Sequence, residues 1–231
     1  MFDFTKPGVG ISKDAPKKEG IHLFIDILYR EFWTIFTINF LFIISTIPII
    51  TIGPSICALN YVCAKLIRDE PIDVFYDYKR GFMLNFWQGT FASLINLVIF
   101  GFLGISYWFA SILFVRFSYV IIFVIILFCA VNVYVFPLVS CIKLPLKAVY
   151  KNSISLAIIC LKPTLSVLVI MGVLNAGLLW FISNTYFFYA FVGFGFLVYL
   201  NLFFAYPQID KFVSIAKPKR LIEEPATFKD S

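Results

Sequence analysis

The sequence predicts an all-α integral membrane protein: a six-helix bundle of three hairpins with interfacial amphipathic helices and both termini cytoplasmic. Three observations predict it. Residues 163–209 run for 47 positions without Asp, Glu, Lys, Arg or His, which as helix would extend about 70 Å, roughly twice an apolar bilayer core. Stretches 32–64, 86–115 and 117–142 are also free of charge. The 231 residues are 61% hydrophobic and only 14% charged, the balance of a membrane chain.

Charge placement sets the number of crossings. The 19 basic residues fall in successive clusters of 5, 4, 1, 4 and 5, separated by the apolar tracts. Short loops rich in Lys and Arg stay on the cytoplasmic side, so the clusters of four and five belong inside and the lone Arg116 outside. An even number of crossings must then separate the first two clusters, and 32–64 becomes a hairpin with spans of about 32–51 and 54–68. The second hairpin follows at about 87–108 and 117–141. The third lies at about 163–182 and 186–207, with Ser183-Asn184-Thr185 as its outer turn. Trp33 and Trp87 fall at inner ends of these spans, Trp108 and Trp180 at outer ends, as interfacial indoles should. The helical domain occupies 21–209, flanked by cytoplasmic tails over 1–20 and 210–231. The first 31 residues mix both signs of charge and contain Pro7 and Pro16, unlike a cleaved signal peptide, so the first tract is expected to remain in the mature chain.

A segment of helical periodicity and mixed polarity precedes each hairpin, at 21–31, 74–85 and 146–161, and such stretches lie in the membrane interface. The layout suggests three related units, with Glu31-Phe32-Trp33 laid on Asn85-Phe86-Trp87 and Tyr76 on Tyr150. Lys147 and Lys151 share one face at i,i+4, with Lys143 upstream and Lys162 downstream, and no acidic residue occurs between Asp77 and Asp210. This purely cationic patch suits anionic lipid, at about 1 kcal/mol per Lys, or a cytoplasmic protein partner.

Each span carries one asparagine: Asn39, Asn60, Asn96, Asn132, Asn175 and Asn201. An unpartnered amide in hydrocarbon costs several kcal/mol, so these side chains should face the bundle interior. They serve either as bonds between helices or as a polar lining for a neutral solute. Thr51, Gly53, Pro54 and Ser55 form a helix break inside the first hairpin. A turn explains it, with Gly53 supplying unusual backbone angles and Thr51 or Ser55 satisfying free amides; a deeper break would aim the positive end of a half-helix at a ligand.

Several chemistries lack their residues. No carboxylate lies within a span to relay protons, and there is no phosphate-binding G-x-x-x-x-G-K-[ST] loop. The single His22 belongs to no recognisable Ser-His-acid constellation, and no enzyme activity or cofactor is expected. Cys57, Cys63, Cys129, Cys141 and Cys160 lie in or beside apolar tracts with no C-x-x-C pair, reading as reduced, buried thiols and not metal ligands. No nucleic-acid partner is expected.

Asn39 followed by Pro48-Ile49-Ile50-Thr51-Ile52-Gly53-Pro54-Ser55 and Ala58-Leu59, then Tyr78-Lys79-Arg80-Gly81-Phe82-Met83-Leu84-Asn85-Phe86, resembles the YesL-like bacterial membrane proteins, a domain of unknown function. Lys151-Asn152-Ser153 and Leu161-Lys162-Pro163 extend the likeness more loosely, as do Lys6-Pro7-Gly8-Val9-Gly10 and Lys13-Asp14-Ala15-Pro16-Lys17-Lys18. Members are often encoded beside carbohydrate ABC transporters and glycoside hydrolases in Gram-positive bacteria. The resemblance therefore implies a multi-pass protein of the bacterial cell membrane, accessory to sugar uptake, with ABC transporter subunits as partners. Residues 148–163 are distantly similar to the coupling loop of ABC permeases but lack its Glu-Ala-Ala start and its Gly, which leaves a solute-conducting permease subunit with a carbohydrate solute as the alternative.

Overall fold

Apolar residues without strand-like alternation, interrupted by Pro and by charged clusters, fold here as helices throughout. The computed structural model describes residues 20–113, 115–181 and 193–214, and no strand occurs among them. In chain order the helices are α1 (Ile21–Arg30), α2 (Phe32–Ser45), a 3₁₀ turn (Ile49–Thr51), α3 (Ile52–Ile67), α4 (Val74–Leu84), α5 (Phe86–Leu113), α6 (Val115–Cys141), α7 (Leu146–Ile159), α8 (Leu161–Phe181) and α9 (Phe194–Ile209), closed by a π-helical turn (Asp210–Ser214). Helix α5 continues past the expected end at 108, since neither Pro nor Gly interrupts 105–113, and Arg116 lies in the first turn of α6. The expected turn at Ser183-Asn184-Thr185 and both tails lie outside the described residues.

Three segments are long and apolar enough to cross a bilayer by themselves: Ile49–Ile67, Phe86–Leu113 and Val115–Cys141. Two bent pairs, Ile21–Arg30 with Phe32–Ser45 at 74° and Leu146–Ile159 with Leu161–Asn175 at 94°, raise this to five if each pair is one span. The chain is thus an all-helical protein with membrane-type helices.

The three-unit layout has a backbone signature. Glu31, Asn85 and Cys160 each separate an amphipathic helix from a long one, with φ,ψ of −107°,21°, −110°,14° and −103°,48°. All three sit near the sparsely populated bridge region. Beyond each bend the helical ladder restarts in the same way, with Ile35 N–H donating to Glu31 O, Gly89 N–H to Asn85 O and Thr164 N–H to Cys160 O, at 3.0, 2.7 and 3.1 Å. The bends place Glu31 on Asn85 as expected, but they pair Tyr150 with Phe75 and not with Tyr76.

Packing closes the units into a ring. The return helices α3, α6 and α9 touch one another at the centre, while α5 packs on α3, α8 on α6 and α2 on α9. Each outgoing helix therefore leans on the return helix of the preceding unit, the first on the third. The amphipathic helices follow suit: α4 lies on α3 and α7 on α6, and on α1 the Phe24 ring stacks on Tyr199 of α9 at 5.0 Å. In each case the residue four past the bend makes the crossing. Gly89 meets Gly53, Ile35 O lies against Gly195, and the Thr164 hydroxyl bonds the Tyr134 hydroxyl at 2.8 Å.

Burial follows this plan. Ala58, Leu59, Val62 and Cys63 of α3, Val135 and Leu138 of α6, and Tyr199 and Leu202 of α9 are all sealed from solvent. Helix α5 buries only Gly89, Ala92 and Asn96, all in its first eleven residues, and α6 buries Ser118 and then mainly 133–141. The remaining lengths of α5 and α6 form an apolar arm whose Phe, Ile, Leu and Val side chains face outward.

Candidate functional site

The break between α2 and α3 is built of hydroxyls that compete locally with the backbone. Thr51 Oγ1 donates toward Ser45 O and Pro48 O, and Ser55 Oγ donates to Thr51 O at 2.7 Å. Neither caps the amides of α3, contrary to the expectation from sequence: Thr51, at the N-cap position, accepts no side-chain cap bond. Hydroxyls this close to a helix start find carbonyls first because the chain doubles back over them. Nor does Gly53 take a left-handed conformation, since the positive-φ glycine among the described residues is Gly20. Its missing side chain serves close approach instead. A Cβ on Gly53 would collide with the Gly89 carbonyl, and one on Gly89 would lie 2.8 Å from Pro54 N. Pro54 is tolerated because it stands in the first turn of α3, where its absent N–H has no ladder bond to lose.

Helix α4 completes this junction with residues to which the sequence reading gave no structural role. Tyr78 OH lies 2.7 Å from Ser45 Oγ, and Ser45 Oγ lies 2.8 Å from Ser55 Oγ. Burial pushes the Tyr78 phenol up to about 12, against the opposing pull of its bonds to Ser45 and Ser55. The phenol therefore keeps its proton at neutral pH and heads a chain from Tyr78 to Ser45 to Ser55 to the Thr51 carbonyl. One residue earlier, the buried Asp77 carboxylate accepts from Lys65 Nζ at 2.8 Å and from the Asp73 amide at 3.0 Å. Gly81, a turn later, seats its backbone against Tyr61 and Ala58. The sequence signal for this clamp was an isolated acid, Asp77, on an amphipathic helix otherwise rich in cations. Its partner stood twelve residues upstream, beyond any helical spacing.

The six asparagines divide into two groups. Three tie helices together: Asn39 Oδ1 accepts from Gly195 N at 2.8 Å, Asn96 Oδ1 from Tyr150 OH at 3.2 Å, and Asn201 Nδ2 donates to Val133 O at 3.2 Å. Asn60, Asn132 and Asn175 donate to Ile56 O, Phe128 O and Met171 O of their own helices. The i−4 carbonyl satisfies an amide without any neighbour, which is why not every membrane asparagine reaches across. Asn60 Oδ1, Asn96 Nδ2 and Asn201 Oδ1 are buried with no hydrogen-bond partner among the described residues.

Lys143, Lys147, Lys151 and Lys162 are all exposed around α7, and none pairs with a carboxylate among the described residues. Beside Lys143 opens a cleft of about 440 Å³ between the α4–α5 bend and the connection from α6 to α7. Asn85, Trp87, Gln88 and Lys143 line it, together with an apolar wall that includes Leu84 and Ile142. Gln88 Nε2 donates to Leu144 O at 3.0 Å and pins the connection to the first turn of α5. None of the six asparagines read from the spans lines this cleft. All five cysteines are free thiols, four buried and Cys129 half-buried, and no group of three His, Cys, Asp or Glu that could hold a metal ion occurs among the described residues.

No curated protein and no solved structure matches the chain. Residues 35–107, which run from the first turns of α2 through the break, α3 and α4 into α5, match the family described as "Protein of unknown function, DUF624". This family is the YesL-like group of membrane proteins, and over those residues the chain is similar to it.

Proposed function

We propose that the protein is a non-enzymatic accessory or assembly component of a bacterial carbohydrate-uptake system of the ABC type, crossing the cell membrane six times with both termini inside. The observation that carries the docking role is the set of exposed lysines at 143, 147, 151 and 162, none of which pairs with a carboxylate among the described residues. Two further features support the topology. Each amphipathic helix leads into a bend of like geometry and rests on a return helix of another unit, the arrangement expected of a chain that comes back to one bilayer face before each unit. Those helices also expose apolar side chains suited to the headgroup boundary, such as Ile21 and Ile25 on α1, Phe75 and Met83 on α4, and Ile154 and Ile158 on α7. The carbohydrate assignment comes from the genomic setting typical of the family.

Affinity purification from native membranes with mass spectrometry tests this reading. Permease subunits co-purify with the wild-type chain and are lost with Lys147→Glu/Lys151→Glu; a chain that purifies alone contradicts it. A second reading, a solute-conducting permease subunit, is favoured by the unpartnered buried amide atoms of Asn60, Asn96 and Asn201. Uptake of labelled oligosaccharide by liposomes holding only this chain would establish that alternative in its place.

A further inference from the structure

The cleft at the α4–α5 bend combines features that select a ligand class. Among the described residues its one ionic side chain is Lys143, and no carboxylate lines it. Two amides stand in its wall with their nitrogens only half used. Asn85 Nδ2 donates to Gly81 O and Gln88 Nε2 to Leu144 O, and each NH₂ retains a second hydrogen. A volume of about 440 Å³ lies within the range of small-molecule sites. A cation without a counter-ion among the described residues, flanked by neutral donors, calls for an anion.

The surroundings decide which anion. Trp87 is 71% exposed and stacks with Phe91 at 6.3 Å, and the exposed Leu94 follows one turn on. The cleft thus opens onto the apolar flank of α5, one of the helices long and apolar enough to cross a bilayer. A soluble phosphate has no use for that flank, and an acyl chain does. We propose that the cleft seats the headgroup of an anionic phospholipid, its phosphodiester facing Lys143 and the amides of Asn85 and Gln88, its acyl chain lying along Trp87, Phe91 and Leu94. This inference does not depend on the uptake reading; it requires only that the bend lie at headgroup level.

The test uses the full chain with Trp33, Trp108 and Trp180 replaced by Phe, reconstituted in vesicles that contain phosphatidylglycerol or phosphatidylcholine with brominated acyl chains. Trp87 fluorescence is expected to reach half-quenching at about fivefold lower mole fraction of the brominated phosphatidylglycerol, the ratio that one interfacial lysine contact confers. Lys143→Gln abolishes that preference, Lys143→Arg restores it, and Lys147→Gln/Lys151→Gln leaves it in place. Native mass spectrometry of the wild-type chain and Lys143→Gln gives the same comparison without altered tryptophans, with phosphatidylglycerol adducts about fivefold weaker on the variant. Equal quenching by the two lipids, a preference that survives Lys143→Gln, or one lost equally with Lys147 and Lys151 overturns the site in favour of diffuse surface charge.

Discussion

Helix α3 and the α5–α6 hairpin are both apolar enough to span a membrane, yet the structure uses them oppositely. The best window of Ile49–Ile67 is 67% buried within the protein, while those of Phe86–Leu113 and Val115–Cys141 are each 17% buried. Side-chain size accounts for the difference. Helix α3 carries Gly53, Ser55, Cys57, Ala58, Cys63 and Ala64, small groups that let neighbouring backbones approach. The distal parts of α5 and α6 carry Phe100, Phe102, Trp108, Phe109, Phe117 and Phe123, bulk that covers surface without needing a protein partner. In a bilayer the hydrophobic effect does not draw helices together, so close contact and polar bonds decide which helix becomes the centre.

The sharpest attempt to break this contrast inserts bulk at the centre. Gly53→Val drives a side chain into the Gly89 carbonyl and is expected to cost about 3 kcal/mol or to abolish folded protein, read as the melting temperature in detergent. Gly104, where a Cβ would meet nothing within 4 Å, tolerates Ala with a change within about 0.5 kcal/mol. Next in size is Asp77→Asn, which strips the buried partner from Lys65 and is expected to lower stability by about 3 kcal/mol. The apolar double variant Lys65→Met/Asp77→Leu should recover most of that loss, because no unpaired charge remains. Tyr78→Phe removes the head of the hydroxyl chain and costs about 1 kcal/mol. Least of all, Ile105→Ala on the outward arm shifts the melt by no more than about 0.5 kcal/mol, since Ile105 is 61% exposed and packs on little protein.

Much of the helical plan was legible because its signals are local. Charge-free tracts, the Pro48-to-Pro54 break and the mixed segments at 21–31, 74–85 and 146–161 marked where helices run, and Trp33 and Trp87 do follow directly on two bends. The role of each helix was not legible. Gly53 reads as a turn residue until Gly89, 36 positions on, is seen against it. Asp77 and Tyr78 read as the polar face of an interfacial helix, whereas α4 turns that face onto α3 and buries both. Serines 45 and 55 carry no pattern that foretells a shared tyrosine. Such contacts depend on which helices become neighbours, and in this ring those neighbours belong to different units. The asparagines were visible as expensive residues, but whether an amide crosses to another helix or bonds its own i−4 carbonyl depends on packing that spacing does not encode.

Carbene footprinting in native membranes, with a bilayer-soluble photoactivated diazirine and peptide mapping, tests the central contrast without altering a residue. Dense labelling across the outward faces of α5 and the first half of α6, with Ile52–Ile67 nearly unlabelled, is the predicted result. Labelling of α3 as dense as that of α5 would contradict the account, because a helix so exposed to lipid cannot be the packed centre of the ring.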